Sequence, residues 1–193
     1  SALHLSELGE EVVFHTALGT TDYFGSFLRS TARSRRLRMV AQPGSITGSC
    51  VGISGEKDRT FVTCRGAVDE LRATFDVDGF SHVHLAGYYN CAGLQQDAAD
   101  LFRRARRSGA TTSLGCQHDA VGLWGGVGRA PLTTDDAGPD FLILSEEEAR
   151  EIVSRLSPDQ TSTRERLQRE PQRDALALLA SKAAYCVVLT IGA

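Results

Sequence analysis

Residues 82–115, HVHLAGYYNCAGLQQDAADLFRRARRSGATTSLG, decide the fold. The stretch opens on a short apolar run, HVHLAG (82–87), that reads as a strand. It continues through LQQDAADLFRRARRSG (94–109), whose apolar residues recur at helical spacing, and Gly109 suits the left-handed position that ends a helix. TTSLG (111–115) is again strand-like. A strand, a helix and a strand in succession predict a parallel pair joined by a right-handed crossover. The pattern recurs downstream. PDFLILS (139–145) leads into SEEEAREIVSRL (145–156), where Ser145 and Glu148 stand three apart as in a capping box. RDALALLASKAA (173–184) predicts a last helix, and YCVVLTIG (185–192), continuous and β-branched, predicts a strand buried inside a parallel sheet. The expected architecture is a three-layer α/β/α sandwich with a mostly parallel sheet.

Upstream, EEVVFHTAL (10–18) is β-rich, and DYFGSFLRSTARS (22–34) places Phe24, Phe27, Leu28 and Thr31 at helical spacing. The linking GTTD (19–22) ends on Asp22, well suited to cap the helix because its carboxylate accepts first-turn N–H groups. SCVGIS (49–54) and RTFVTC (59–64) flank the turn-rich GEKD, which predicts a β-hairpin. It is expected to form a small β-hairpin subdomain over residues 44–66, inside a single α/β domain spanning residues 1–193.

Composition narrows the function. With 193 residues, 41% hydrophobic and 23% charged, and a net charge of -3, the chain lacks the concentrated positive surface that nucleic-acid binding needs. The basic runs at 29–38 and 102–107 lie at the ends of helical patterns, where cations complement the dipole. Five widely spaced cysteines, Cys50, Cys64, Cys91, Cys116 and Cys186, form no C-x-x-C pair. They read as reduced, buried thiols of a cytoplasmic protein. No apolar stretch approaches the roughly 18 residues of a membrane span.

In parallel sheets ligands sit beyond the carboxyl ends of the strands. The loops there are GTTD (19–22), GYYN (87–90), GCQHD (115–119), SEEE (145–148) and the terminal GA (192–193). Tyr88 or Tyr89 either offers a ring to a ligand or packs into the core. His118 and Asp119 are adjacent, as an acid–base pair would be, but read rather as a turn. His82 and His84 stand two apart on one strand face, a spacing compatible with metal binding; no third ligand is apparent, so they read rather as packed or hydrogen-bonded side chains.

These segments, in this order, resemble the PfkB (ribokinase-like) family of carbohydrate and nucleoside kinases. Ala2, Gly9 and Gly19 match the small residue and both glycines of its N-terminal signature, whose asparagine would precede Ser1. ALGTTDYFG (17–25) resembles the continuation through Asp22 and Gly25. GEKDRTFVTCRGA (55–67) is similar to the lid strands, HVHLAGYY (82–89) to a substrate-side strand, SEEEA (145–149) to the N-x-x-E region, and VVLTIGA (187–193) to the strand entering the nucleotide site. The resemblance implies transfer of the γ-phosphoryl of ATP, with Mg2+, to a hydroxyl of a small-molecule sugar or nucleoside. It places Gly19, Asp22, Gly87 and Tyr88 on the substrate side, Gly115, Ser145, Thr190 and Gly192 on the nucleotide side, and Glu148 at the metal. It also implies a homodimer formed through the lid strands. Ser145 replaces the family's asparagine, and Gly115 stands where a polar residue is usual. The family's catalytic base lies in a G-A-G-D motif that these 193 residues lack. The expectation is a kinase incomplete at both ends and inactive alone. The alternative is a noncatalytic relative that binds a ligand or partner.

Overall fold

The computed structural model describes residues 2–55, 59–122, 124, 138–156, 179 and 186–190. The chain divides into two compact units, residues 1–71 and 72–193.

The first unit contains α1 (Ala2–Glu7), β1 (Val13–Gly19), α2 (Tyr23–Ser34), β2 (Arg38–Gly44), β3 (Ser49–Ser54), β4 (Arg59–Cys64) and a 3-10 turn at Gly66–Glu70. β1 and β2 pair in parallel from Val13↔Arg38 to Gly19↔Gly44, with α2 as their crossover. α1 and β2 lie outside the elements expected from sequence. Pro43, opposite Leu18, is tolerated because β2 has no second strand partner among the described residues. α2 starts where expected, with Asp22 Oδ1 accepting the Gly25 N–H at 2.8 Å. The apolar residues at helical spacing do not form its buried face: Phe24, Phe27 and Leu28 are exposed, and the helix buries Gly25 and Ala32. Small residues let its backbone approach the strands closely. β3 and β4 form the expected antiparallel hairpin, from Ser49↔Cys64 to Ser54↔Arg59, and Val51, Ile53, Phe61 and Val62 on it are exposed.

The second unit contains β5 (His82–Ala86), a 3-10 turn at Tyr88–Asn90, α3 (Ala92–Arg107), β6 (Thr111–Gly115), β7 (Phe141–Ser145), α4 (Glu146–Leu156) and β8 (Cys186–Thr190). Its strands are all parallel, in the order β5-β6-β7-β8. Strand alternation turns Leu85, Leu114, Leu142 and Leu144 inward, and all four are buried. On α3, which packs on β5 and β6, Ala98, Leu101, Phe102 and Ala105 form one buried stripe at i, i+3, i+4 and i+7; on α4, which packs on β7 and β8, Ala149, Ile152 and Val153 are buried. Gly109 ends the α3 segment at φ +81°. At the amino-terminal edge of the sheet, buried Asp140 accepts from the Thr112 N–H (2.7 Å), the Thr112 hydroxyl (2.9 Å) and Arg106 Nη2 (3.1 Å).

Two expectations are corrected here. β8 alternates between exposed and half-buried residues and pairs with β7 alone among the described residues, so it is an edge strand there. Burial depends on neighbours that local composition does not specify. Of the cysteines, all free, Cys91 and Cys116 are buried, whereas Cys50, Cys64 and Cys186 are exposed. The helix expected at 173–184 lies outside the described residues apart from Leu179, which is helical and buried. Among the described residues no helix is long and apolar enough to cross a membrane.

Candidate functional site

In the first unit the structure brings Gly19 and Asp22 together with Thr47. Asp22 Oδ2 accepts from the Thr47 N–H (3.0 Å) and hydroxyl (2.9 Å), and the Thr47 hydroxyl oxygen in turn accepts the Gly19 N–H (3.0 Å). Arg29 Nη1 donates to the Gly19 carbonyl at 3.0 Å. The Gly25 N–H, followed by the Thr47 donors, holds the Asp22 carboxyl below its ordinary range. A Cβ on Gly19 would lie 1.7 Å from Asp22 Oδ2, and one on Gly25 would lie 2.6 Å from the Gly19 carbonyl. Both glycines of the ALGTTDYFG segment are therefore required by contact.

In the second unit the candidate residues gather at the carboxyl ends of the strands. Gly87 adopts φ +71°, and its N–H donates to the Gly115 carbonyl (3.0 Å); the Tyr89 N–H donates to the Cys116 carbonyl (3.1 Å). These bonds join the turn after β5 to the loop after β6. Both tyrosine rings point inside, Tyr88 at 0% and Tyr89 at 5% exposure. They meet edge to face at 5.3 Å, and Tyr89 meets Trp124 in the same way and donates its hydroxyl to the Trp124 carbonyl (3.1 Å). Among the described residues the buried Tyr88 hydroxyl has no hydrogen-bond partner, and burial pushes its pKa up. Removing an unsatisfied buried hydroxyl relieves a desolvation cost. Tyr88→Phe is therefore expected to hold or raise stability in urea denaturation; a loss above about 1 kcal/mol would contradict it.

Ser145 and Glu148 form the capping box: the Ser145 N–H donates to Glu148 Oε2 (3.0 Å), and the Glu148 N–H donates to the Ser145 hydroxyl oxygen (3.2 Å). Glu148 Oε1 remains uncommitted among the described residues. Burial first, then the charge of Glu148, pushes the Cys116 thiol up, so it stays protonated. Thr190 donates its hydroxyl to the Leu144 carbonyl at 3.3 Å. At Gly115 a Cβ would meet nothing nearer than the His84 ring at 3.7 Å, so crowding does not demand glycine there. Gly192 lies outside the described residues.

His118 and Asp119 belong to a folded turn. Asp119 accepts the N–H groups of Val121 (3.0 Å) and Trp124 (2.7 Å), and the His118 ring packs on Trp124 at 5.3 Å. His82 and His84 are hydrogen-bonded: His82 Nε2 and His84 Nδ1 each lie 2.7 Å from the Ser113 hydroxyl oxygen. Burial lowers both imidazole pKa values.

Two residues that sequence reasoning missed stand at the same carboxyl edge. Asn90 Nδ2 donates to Gln117 Oε1 at 3.2 Å, and Gln117 adopts φ +60°. Both lie in loops that the sequence marks, GYYN and GCQHD, but nothing there singles out these two side chains, and glutamine is not a residue that announces a left-handed backbone.

Among the described residues no three His, Cys, Asp or Glu side chains group as a metal site. Mg2+ suits this arrangement, since it is commonly held by one or two carboxylates together with substrate phosphates. Glu148, with a free oxygen, is the residue that fits.

The chain resembles the crystal structure of a PfkB protein from Polaromonas sp. JS666, with 18% identity and a TM-score of 0.68 over 100% of this chain and 64% of that one. It is similar to Anopheles gambiae adenosine kinase in complex with a di(adenosine) tetraphosphate, with 17% identity and a TM-score of 0.66 over 93% and 53%. An Escherichia coli structure in complex with ATP and Mg2+ matches at 19% identity and a TM-score of 0.67 over 97% and 59%. The chain thus spans between about half and two thirds of the length of these structures. No curated protein sequence matches. The likeness establishes a ribokinase-like α/β fold. The family model for pfkB carbohydrate kinases matches residues 1–191, nearly the full sequence, and the chain belongs to that family.

Proposed function

We propose that this chain is part of an ATP-dependent kinase that transfers the γ-phosphoryl group to a hydroxyl of a sugar or nucleoside. The family match along residues 1–191 carries this reading. The carboxyl ends of β7 and β8 form its nucleotide side, with Ser145 and Thr190 toward the phosphates. Glu148 would hold Mg2+, and the capping box would orient its carboxylate. Magnesium-bound ATP supplies the transferable phosphoryl group and neutralises its charge. Gly19 and Asp22 shape one substrate-side loop, Gly87 another, and Tyr88 supports that second loop from inside the core. These 193 residues contain no G-A-G-D motif, so the catalytic base is not among them. The chain alone is expected to bind nucleotide without transferring phosphate.

Titration with ATP tests the nucleotide side. Mg2+ is expected to tighten ATP binding, and Glu148→Gln to abolish at least about tenfold of that gain, as loss of a charged ligand does. ATP binding indifferent to both Mg2+ and the substitution would sink the reading.

Gly115 and Ser145, which replace the polar residues usual in the family, favour a second reading, a noncatalytic binding protein. An in-frame G-A-G-D motif in the coding sequence downstream of residue 193 would exclude it, whereas robust ATP turnover by these 193 residues alone, abolished by Glu148→Gln, would overturn both readings. The exposed Val51, Ile53, Phe61 and Val62 support self-association through the hairpin. A sedimentation coefficient independent of concentration would remove that part of the proposal. Five free thiols support a reducing, cytoplasmic setting.

A further inference from the structure

The nature of the phosphoryl acceptor can be read more closely from the second unit, on the footing of the kinase reading above. The tyrosines after β5 turn inward, and the surface there presents two amides beside the exposed imidazole of His118. Asn90 is half-buried and Gln117 exposed, and they share one hydrogen bond of 3.2 Å. Their backbones are fixed: the Asn90 N–H donates to the Gly87 carbonyl (2.9 Å), the Gly87 N–H to the Gly115 carbonyl, and the Tyr89 N–H to the Cys116 carbonyl.

Gln117 is held at φ +60°, where glycine would sit without strain. A glycine there would also forgo the amide. The position accepts the strain, and with it gains a side chain. Gly87 has the opposite constraint, since a Cβ on it would approach Gln117 Oε1 to 3.2 Å.

One mutual hydrogen bond uses one donor of Asn90 and the oxygen of Gln117. Asn90 Oδ1 remains an acceptor, and Gln117 Nε2 retains two donors. A neighbouring donor and acceptor suit a hydroxyl, which both donates and accepts. Carboxylates and phosphates are gripped instead by arginine or lysine. Residues 82–96 and 111–122 contain neither, while Asp119 adds negative charge to the same loop. We propose that Asn90 and Gln117 determine specificity by reading a hydroxyl of an uncharged sugar or nucleoside, and that they disfavour acceptors carrying a carboxylate or phosphate.

Calorimetric titration of the whole chain with D-ribose, adenosine, D-gluconate and ribose 5-phosphate tests this. Ribose or adenosine is expected to bind at least roughly tenfold more tightly than either anion, the scale of one well-placed polar contact. Asn90→Ala and Gln117→Gly should each cost roughly tenfold in that affinity, while Gln117→Gly raises the melting temperature by releasing the strain. That opposite movement separates recognition from a purely structural role. Anions binding as well as the neutral compounds, or both variants binding like wild type, would overturn the assignment and leave the kinase reading standing. Binding of none of the four would overturn the sugar- or nucleoside-binding reading, and this assignment with it.

Discussion

Replacing Asp140 by alanine is expected to lower the free energy of unfolding by about 3 kcal/mol, the penalty typical of breaking a buried charge network. The side chain is only 5% exposed and serves three donors: the Thr112 N–H, the Thr112 hydroxyl and Arg106 Nη2. The Asp140 N–H closes the ring by donating to the Thr112 hydroxyl oxygen at 3.0 Å. Alanine would strand the Thr112 N–H in the interior. Arg106 is one third exposed and keeps its bond to the Gly138 carbonyl (2.8 Å), which limits the loss at that partner. The ring also fixes where β6 and β7 begin to pair, at Ser113↔Phe141. A one-residue slip there would turn Leu114 out of the core. Chemical denaturation measures the effect, and a loss below about 1 kcal/mol would show that the network is not a determinant of stability.

Gly19→Ala is the second large effect, expected at about 2–3 kcal/mol as overpacking against atoms that cannot retreat. The added Cβ would stand 1.7 Å from Asp22 Oδ2 and 2.8 Å from the Thr47 nitrogen. Asp22 is no flexible tip, because Gly25 and Thr47 hold both its oxygens. Asp22→Ala removes the nearest obstacle. Gly19→Ala should therefore cost clearly less in the Asp22→Ala background than in wild type, a coupling that a double-mutant cycle measures. Strict additivity of the two changes would refute the contact.

Signals contained within a few residues were legible in the sequence. Asp22 reaches Gly25, and Ser145 and Glu148 reach each other, all across three positions, so composition and spacing suffice to place both caps. The βαβ alternation of 82–115 is likewise local. β2 was hidden because it follows a basic run and contains Pro43. The helical spacing of Phe24, Phe27 and Leu28 identified a face of α2 without identifying what covers it, and that face is exposed. Sequence distance hid the rest: Thr47 and Asp22 lie 25 residues apart, Asn90 and Gln117 27, and Asp140 and Thr112 28. Such pairs arise only after strand order and register are set. Likeness to a family supplied the sites that spacing alone did not, while the amides of Asn90 and Gln117 needed the backbone geometry.

The Ser113 hydroxyl has one proton and two imidazole neighbours, and this fixes the placement of several others. If Ser113 donates to His82 Nε2, then His84 Nδ1 carries a proton and donates to the Ser113 oxygen. His82 Nδ1 then carries its own proton toward the Thr111 hydroxyl oxygen at 2.8 Å, leaving the Thr111 proton for the Ser81 carbonyl at 3.3 Å. The reverse arrangement spends the Thr111 proton on His82 and forfeits the Ser81 bond. Hydrogen-bond accounting thus assigns the Nδ1–H tautomer to both rings. The four side chains behave as a proton-ordered row across β5 and β6, in which no ring can change tautomer unless its neighbours change with it.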